Sequence, residues 1–312
     1  MKQTKPIQIN ERISLIDGHD LGVEERTGIY VIQEEELTIV ETSASPAIRY
    51  VIEGLKSLGF SLEEVKYIIV THIHLDHAGG AGLLIKECPN AKLVVHPKGA
   101  RHLANPERLI AGAKAVYGDK FSKLFDPIIP IDEERLLIKG EGDTLKIGSN
   151  CVLEFRDTPG HAKHHFSIYD PITNGMFTGD TVGVRYEQLI PDGVHLFLPS
   201  TSPNQFDPVE MQRAINRMQE MNLDFIYFGH YGMTNLPNEA FLQVSSWLEI
   251  FLKNAKSIYA EQQGYEELAE CLVSLVREHL RKHNIPDDHE VYKLIQLDME
   301  VSAMGLIDYL SK

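Results

Sequence analysis

Three histidines and an aspartate fall within six residues of Thr71-His-Ile-His-Leu-Asp-His-Ala-Gly-Gly80, directly after the apolar run Val65-Lys-Tyr-Ile-Ile-Val. This constrains the fold strongly. The run reads as a buried strand that delivers its end into a polar, chemically committed turn. Side chains alternate along a strand with period two, so His72 and His74 are expected to face the same way at the strand end. Asp76 and His77 follow on the turn into a helix and offer a carboxylate and a third imidazole to a neighbouring position. Imidazole nitrogens with a charged oxygen are a donor set that zinc, iron and manganese share.

The rest of the chain alternates short β-rich runs with amphipathic helices. Ile29-Tyr-Val-Ile and Leu37-Thr-Ile-Val read as neighbouring strands. Ser45 and Pro46 read as N-cap and first helical residue ahead of Ile48, Val51, Ile52, Leu55 and Leu58, with Gly59 as the stop. Ser61 and Glu64 read as a capping box. Leu93-Val-Val is a further strand, and 98–125 is expected to be a helical insertion serving as lid or pocket wall. Strands follow at Cys151-Val-Leu-Glu-Phe, Phe166-Ser-Ile-Tyr and Met176-Phe-Thr. Asp207, Pro208 and Glu210 start a helix whose Met211, Ala214, Ile215 and Met218 read as core packing, and Phe225-Ile-Tyr-Phe makes a last strand. Three helical faces then appear: Phe241, Val244, Leu248, Phe251; Leu268, Leu272, Leu275, Val276; and Leu294, Leu297, Val301, Met304, after a break at Pro286. The expected organisation is an α/β domain over 1–237 and a helical segment over 238–312.

Composition narrows the function. Against 30 Lys+Arg stand 45 Asp+Glu, a net charge of −15, and no basic patch interrupts that field, so nucleic acid is not the expected partner. The opening Met1-Lys-Gln-Thr-Lys-Pro is polar, without the apolar stretch of a secretory signal. No run approaches the ~18 apolar residues of a membrane span. The three cysteines, Cys88, Cys151 and Cys271, suit neither a disulfide framework nor a cysteine zinc site, and Cys151 reads as core. The expectation is a cytoplasmic protein with no membrane partner.

Spacing in the histidine cluster resembles the H-x-H-x-D-H signature of the metallo-β-lactamase superfamily. Three further elements of that pattern follow in order: Thr158-Pro-Gly-His161, Phe177-Thr-Gly-Asp180 and Phe228-Gly-His230. The resemblance covers residues ~10–235 and implies a four-layer αββα sandwich of two mixed β-sheets, here with a C-terminal helical extension. It implies two divalent metal ions (Zn, Fe or Mn): His72, His74 and His161 resemble the ligands of the first, Asp76, His77 and His230 those of the second. Asp180 matches the carboxylate that bridges them. The chemistry so implied is attack by a metal-bridging hydroxide whose pKa is lowered towards ~7, with Asp76 and Asp180 as catalytic carboxylates.

Within the superfamily, His74 stands where flavodiiron reductases usually carry glutamate, and the cysteines match no β-lactamase zinc ligand. The chain looks most like the glyoxalase II and acyl-homoserine-lactonase branch, which implies a hydrolase of esters, thioesters or lactones of a small molecule. It departs from that branch at Gly229-His230-Tyr-Gly, where glyoxalase II commonly has Gly-His-Glu-Tyr, and at Glu41-Thr-Ser, where many members have Asp-Thr-Gly. Other activities on the same motif are phosphodiester hydrolysis and a mononuclear-iron persulfide dioxygenase; a metal-relic sensor is the non-enzymatic reading. His165 reads as a support for the ligands, and His164, Arg185, Tyr186 and His195 as substrate-binding candidates, with Arg101, Tyr117 and Phe197 behind them. His96 reads as a strand end, and His19, His102, His279, His283 and His289 as surface residues. The helical tail either walls the pocket or forms a homodimer interface.

Overall fold

The structure, a computed structural model, describes residues 5–312, so Met1–Thr4 of the polar opening lie outside the described residues. It divides into two compact units. The first comprises residues up to Asp157 with His164–Gly179 and Asp224–Asn235; the second comprises Thr158–Lys163, Asp180–Leu223 and Leu236–Lys312.

Two mixed sheets make the first unit. One has seven strands in sequence order: β1 (Ile7–Gln8), β2 (Ile13–Asp17), β3 (Gly28–Ile32), β4 (Leu37–Val40), β5 (Val65–Ile69), β6 (Lys92–Val95) and β7 (Leu136–Ile138). Pairing is antiparallel from β1 to β4 and parallel from β4 to β7. The other sheet is built from β8 (Thr144–Lys146), β9 (Val152–Asp157), β10 (Phe166–Asp170), β11 (Gly175–Gly179), β14 (Phe225–Phe228) and β15 (Met233–Thr234), in the order β15-β14-β11-β10-β9-β8. Only β11 and β14 pair in parallel there.

The near-continuous apolar runs of β3 to β6 follow from burial on both faces. Leu15, Tyr30, Val40, Ile69 and Val94 pack against Phe155, Phe166, Ile168, Phe177 and Tyr227 of the second sheet. Ile29, Val31, Ile39, Ile68 and Leu93 turn to the other side and pack with Ile48, Val51 and Leu55 of α1 (Ile48–Ser57) and Leu84 of α3 (Ala81–Glu87). Each fully buried side chain of this size contributes about 1.5–3 kcal/mol. Tyr30 crosses the inter-sheet layer, stands edge-on to Phe177 at 5.2 Å, and donates its hydroxyl to Phe228 O at 2.7 Å.

Local readings hold in part. Ser61 and Glu64 form the capping box. Ser45 does not cap α1: a short turn, Ser45–Ala47, precedes the helix, and the Ser45 hydroxyl lies against the carbonyls of Gly79 and Pro127. The insertion is helical, as α4 (Pro97–Ala104), α5 (Glu107–Tyr117) and α6 (Phe121–Phe125). Phe121 and Phe125 seat it against Leu75, the first residue of α2 (Leu75–Ala78).

The second unit holds the β12–β13 pair (Val184–Arg185 with Phe197–Leu198), α7 (Pro208–Gln219), α8 (Pro237–Ala260), α9 (Tyr265–Lys282) and α10 (Val291–Leu310). Asp207 caps α7, accepting from Val209 N and Glu210 N, and Met211, Ala214, Ile215 and Met218 are buried as expected. The α8 face is also as expected. The α10 face differs in part: Leu294 is buried as expected, but Ile295, Met299, Ala303 and Leu306 are buried too, while Leu297, Val301 and Met304 are only half-buried. That helix is apolar almost all round, so its pattern does not fix a phase, and small residues decide which side docks. No helix among the described residues is long and apolar enough to cross a membrane.

Gly305 marks the docking point, since a Cβ there would sit 1.7 Å from Thr201 O. Gly305→Ala is expected to destabilise by about 1–3 kcal/mol or more through overpacking, read as a lowered Tm. Gly112→Ala is the control: it lies inside α5 with nothing within 4 Å of the added carbon, and is expected to be neutral or stabilising.

Candidate metal centre

The strand β5 ends at Ile69, so the histidine cluster sits beyond it rather than on it. His72 and His74 nevertheless converge, with His72 Nε2 3.1 Å from His74 Nδ1. His74 is the residue before α2, which carries Asp76 and His77, and His230 follows β14. His77 Nε2 lies 3.8 Å from Asp76 Oδ2, and His230 Nε2 lies 3.7 Å from the same oxygen. Donor atoms of Asp76, His77 and His230 all fall within 4.8 Å of one another. For metal–ligand bonds of 2.0–2.1 Å, tetrahedral donors stand about 3.3 Å apart, so this set fits a divalent ion after small rotamer adjustment.

Thr71 and Glu41 fix the tautomers. The Thr71 hydroxyl donates its one proton to Glu41 Oε1, so it accepts from His72 Nδ1–H at 3.0 Å. Glu41 Oε1 also lies 3.4 Å from His77 Nδ1. Both imidazoles therefore turn Nε2 away from this support, in the form a metal needs. The His77 backbone is held as well, its carbonyl accepting from Thr42 N at 3.0 Å and Thr42 Oγ1 at 2.8 Å. Gly229 leaves room for the ring: a Cβ there would sit 2.7 Å from His77 Cε1.

His165 is buried and stacks on His72 with ring centroids 4.9 Å apart. His164 stands edge-on to His74 at 5.4 Å, its Nδ1 facing Ile73 N at 3.5 Å. His96 is buried beyond β6, accepting from Lys98 N through Nδ1 at 3.1 Å with Nε2 3.3 Å from Asp157. Asp20 and Arg26 escaped sequence reading. Burial pushes the Asp20 carboxyl up to about 6; Arg26, 3.4 Å away, opposes the rise and Asp76 adds to it.

In the second unit His161 donates Nδ1–H to Ser200 O at 3.0 Å, which again leaves Nε2 as the lone-pair nitrogen. That nitrogen lies 3.6 Å from Asp180 Oδ2, which accepts from Ser200 Oγ at 3.0 Å. Ser200 carried no motif in the sequence. Arg185 is ion-paired with Glu187, and the buried Tyr186 donates its hydroxyl to Asp298 Oδ2 at 2.8 Å. His195 lines a cleft between α8 and α9.

Glu41→Gln keeps an acceptor for Thr71 but loses the charge facing His77 Nδ1–H. It is expected to weaken metal affinity by about 10–100-fold with the fold retained, read by competition with a chromogenic chelator. The Asp20 shift has a definite sign. A carboxyl raised from 3.8 to about 6 favours the fold when protonated, and that contribution is lost as pH rises through about 6. Chelated Asp20→Asn protein is therefore expected to gain Tm relative to chelated parent between pH 4 and 7.

The description "metallo-beta-lactamase superfamily" belongs to the family model that matches residues 24–230. A metallo-β-lactamase fold-containing protein from Sulfurisphaera tokodaii is 24% identical over 210 residues, covering 66% of this chain and 73% of its own. The crystal structure of the archaeal protein (as Sulfolobus tokodaii) matches with a TM-score of 0.64 at 22% identity, over 95% of this chain and 98% of that one. A hydroxyacylglutathione hydrolase from Legionella pneumophila is 28% identical over 139 residues, 45% of this chain and 39% of its own. An N-acyl homoserine lactonase from Agrobacterium fabrum is 28% identical over 135 residues, 43% and 47%. The α/β fold of two mixed sheets with C-terminal helices is the one expected. With a superfamily model spanning most of its length and donor clusters suited to a divalent ion, the chain belongs to the metallo-β-lactamase superfamily.

Proposed function

We propose that the chain is a binuclear metal-dependent hydrolase that cleaves an ester, thioester or lactone of a small molecule. His72, His74 and His161 hold one ion in this reading, Asp76, His77 and His230 the other, and Asp180 serves both. The observation that carries it is the convergence of Asp76, His77 and His230, with His77 turned by Glu41 to present Nε2. The hydroxyacylglutathione hydrolase and lactonase relatives support the acyl substrate class.

Bound zinc, iron or manganese would supply Lewis acidity for the scissile carbonyl and an acidified water as nucleophile. The chain's own groups do the rest. Asp76, with 22% of its side chain exposed, is the carboxylate that receives the proton of the attacking water and returns it to the leaving group. Ser200 holds Asp180 Oδ2 by its hydroxyl and orients that carboxylate. His164, edge-on to His74, is the substrate contact. Arg185 and Tyr186 are engaged with Glu187 and Asp298, and His195 lines the cleft between α8 and α9, so this reading gives none of the three a chemical step. The partner in this reading is a small molecule rather than nucleic acid, consistent with a net charge of −15. A cytoplasmic setting suits Cys88 and Cys151, whose thiols burial pushes up to about 12 and so keeps unreactive.

The test is a hydrolysis panel of lactones, acyl thioesters, aryl esters and phosphodiesters on protein loaded separately with Zn, Mn and Fe(II). Metal-dependent cleavage of an acyl substrate is expected, lost on chelation and reduced by at least about 100-fold in Asp180→Asn. Cleavage of phosphodiesters alone would overturn the acyl assignment. Oxygen uptake with a persulfide and one iron per chain would replace it with the dioxygenase.

A further inference from the structure

The C-terminal helices carry a histidine pair that the chemistry above does not use. His279 and His283 stand one turn apart on α9 and the residues just after it, in His279-Leu-Arg-Lys-His283. Residues at i and i+4 share one helix face, an arrangement in which two imidazoles can grip one ion. Their ring centroids are 4.9 Å apart. A metal lies about 3.2 Å from the centroid of an imidazole bound at 2.0–2.1 Å, so two such rings at 90–110° stand roughly 4.5–5.2 Å apart. In the candidate metal centre the corresponding spacings are 4.6 Å for His72 and His74 and 5.2 Å for His77 and His230. The α9 pair thus has a ring spacing compatible with one shared ion.

The surroundings favour a cation. The pair lines a cleft of about 660 Å³ between α8 and α9, to which His195 adds a third imidazole. Its charged walls are Lys282 against Glu239 and Glu278, one positive against two negative, or −1 with the imidazoles neutral. Burial, together with His283 and Lys282, lowers the pKa of His279, which favours the neutral ligating form. A glutamate would stand second in the H-E-x-x-H pattern of zinc peptidases; here Leu280 takes that place, so the pair lacks that pattern's general base.

We propose that His279 and His283 form a transition-metal binding site in the helical segment, selective for borderline cations such as Cu(II), Ni(II) or Zn(II), that binds without catalysing. A bound ion would clip the last turn of α9 to the residue that ends it and would stabilise the folded chain by mass action.

The chain contains its own reporter. Trp247 is the one tryptophan in the sequence, and its ring stands edge-on to His279 at 5.4 Å. Cu(II) held by the pair would quench its emission at contact range. The experiment titrates Cu(II), and separately Ni(II), into zinc-loaded full-length protein while following Trp247 fluorescence. Saturable quenching at one equivalent is expected. Because His283 is exposed, His283→Gln is expected to leave the Tm unchanged while weakening the midpoint by at least about tenfold. His279→Gln with His283→Gln should abolish the quenching, with emission maximum and ester hydrolysis as in the parent. No quenching in the parent, or an unshifted midpoint in His283→Gln, would overturn the proposal. Quenching that survives in the double variant would do so too, by assigning the copper to other donors.

Discussion

A buried carboxylate on a left-handed backbone organises the candidate centre. Glu41 is 3% exposed, its φ is +72°, and it sits directly after β4, where Glu41 N donates to Ile69 O at 2.8 Å. Burying an ionised group costs several kcal/mol, and a non-glycine residue in that backbone region about 1–3 kcal/mol more. An apolar residue would pack there more stably. The partial offset comes from the Thr71 hydroxyl and the His77 imidazole, which both face Glu41 Oε1 and are themselves held by it. Stability is thereby traded for two imidazoles held in one tautomer and one direction.

That exchange works only on a rigid scaffold. The inter-sheet layer supplies one: β3 to β6 are buried on both faces, and Tyr30 ties the first sheet to the end of β14 through Phe228 O. His230 follows that strand end by two residues, and the His72–His77 loop follows β5 by three. Irregular backbone carrying the chemistry is therefore anchored at both approaches by strands that cannot shift without opening the core.

Legibility in the sequence tracks whether a residue's identity or its environment carries the information. His72, His74, Asp76 and His77 were readable because four donors in six positions have no solvent-exposed explanation. Asp20 and Ser200 were not, since an isolated acid or serine after a strand has no pattern and its meaning arises only from the groups it faces. Glu41 stood out only as a departure from Asp-Thr-Gly, and its place against Thr71 and His77 came from the structure. Ser45 shows the same limit from the other side, since local capping chemistry lost to the Gly79 and Pro127 carbonyls. Short strands such as β8, β12 and β15 left no periodicity to detect. The phase of α10 was hidden because apolar residues surround it, so the choice fell to Ser302, Ala303 and Gly305, which permit close approach.

This choice of face on α10 reaches the chemistry by a short chain of contacts. Gly305 lets the helix backbone meet Thr201, and Thr201 Oγ1 donates to Ser302 O at 2.9 Å. Thr201 is thus held from both sides, and its neighbour Ser200 with it. Ser200 in turn supplies the carbonyl that fixes His161 Nδ1 and the hydroxyl that holds Asp180 Oδ2. Tyr186, donating to Asp298 on the same helix, pins the segment that follows Asp180. A helix that carries none of the superfamily motifs therefore sets the positions of two residues that do, so within the second unit the C-terminal segment positions His161 and Asp180 rather than merely following them.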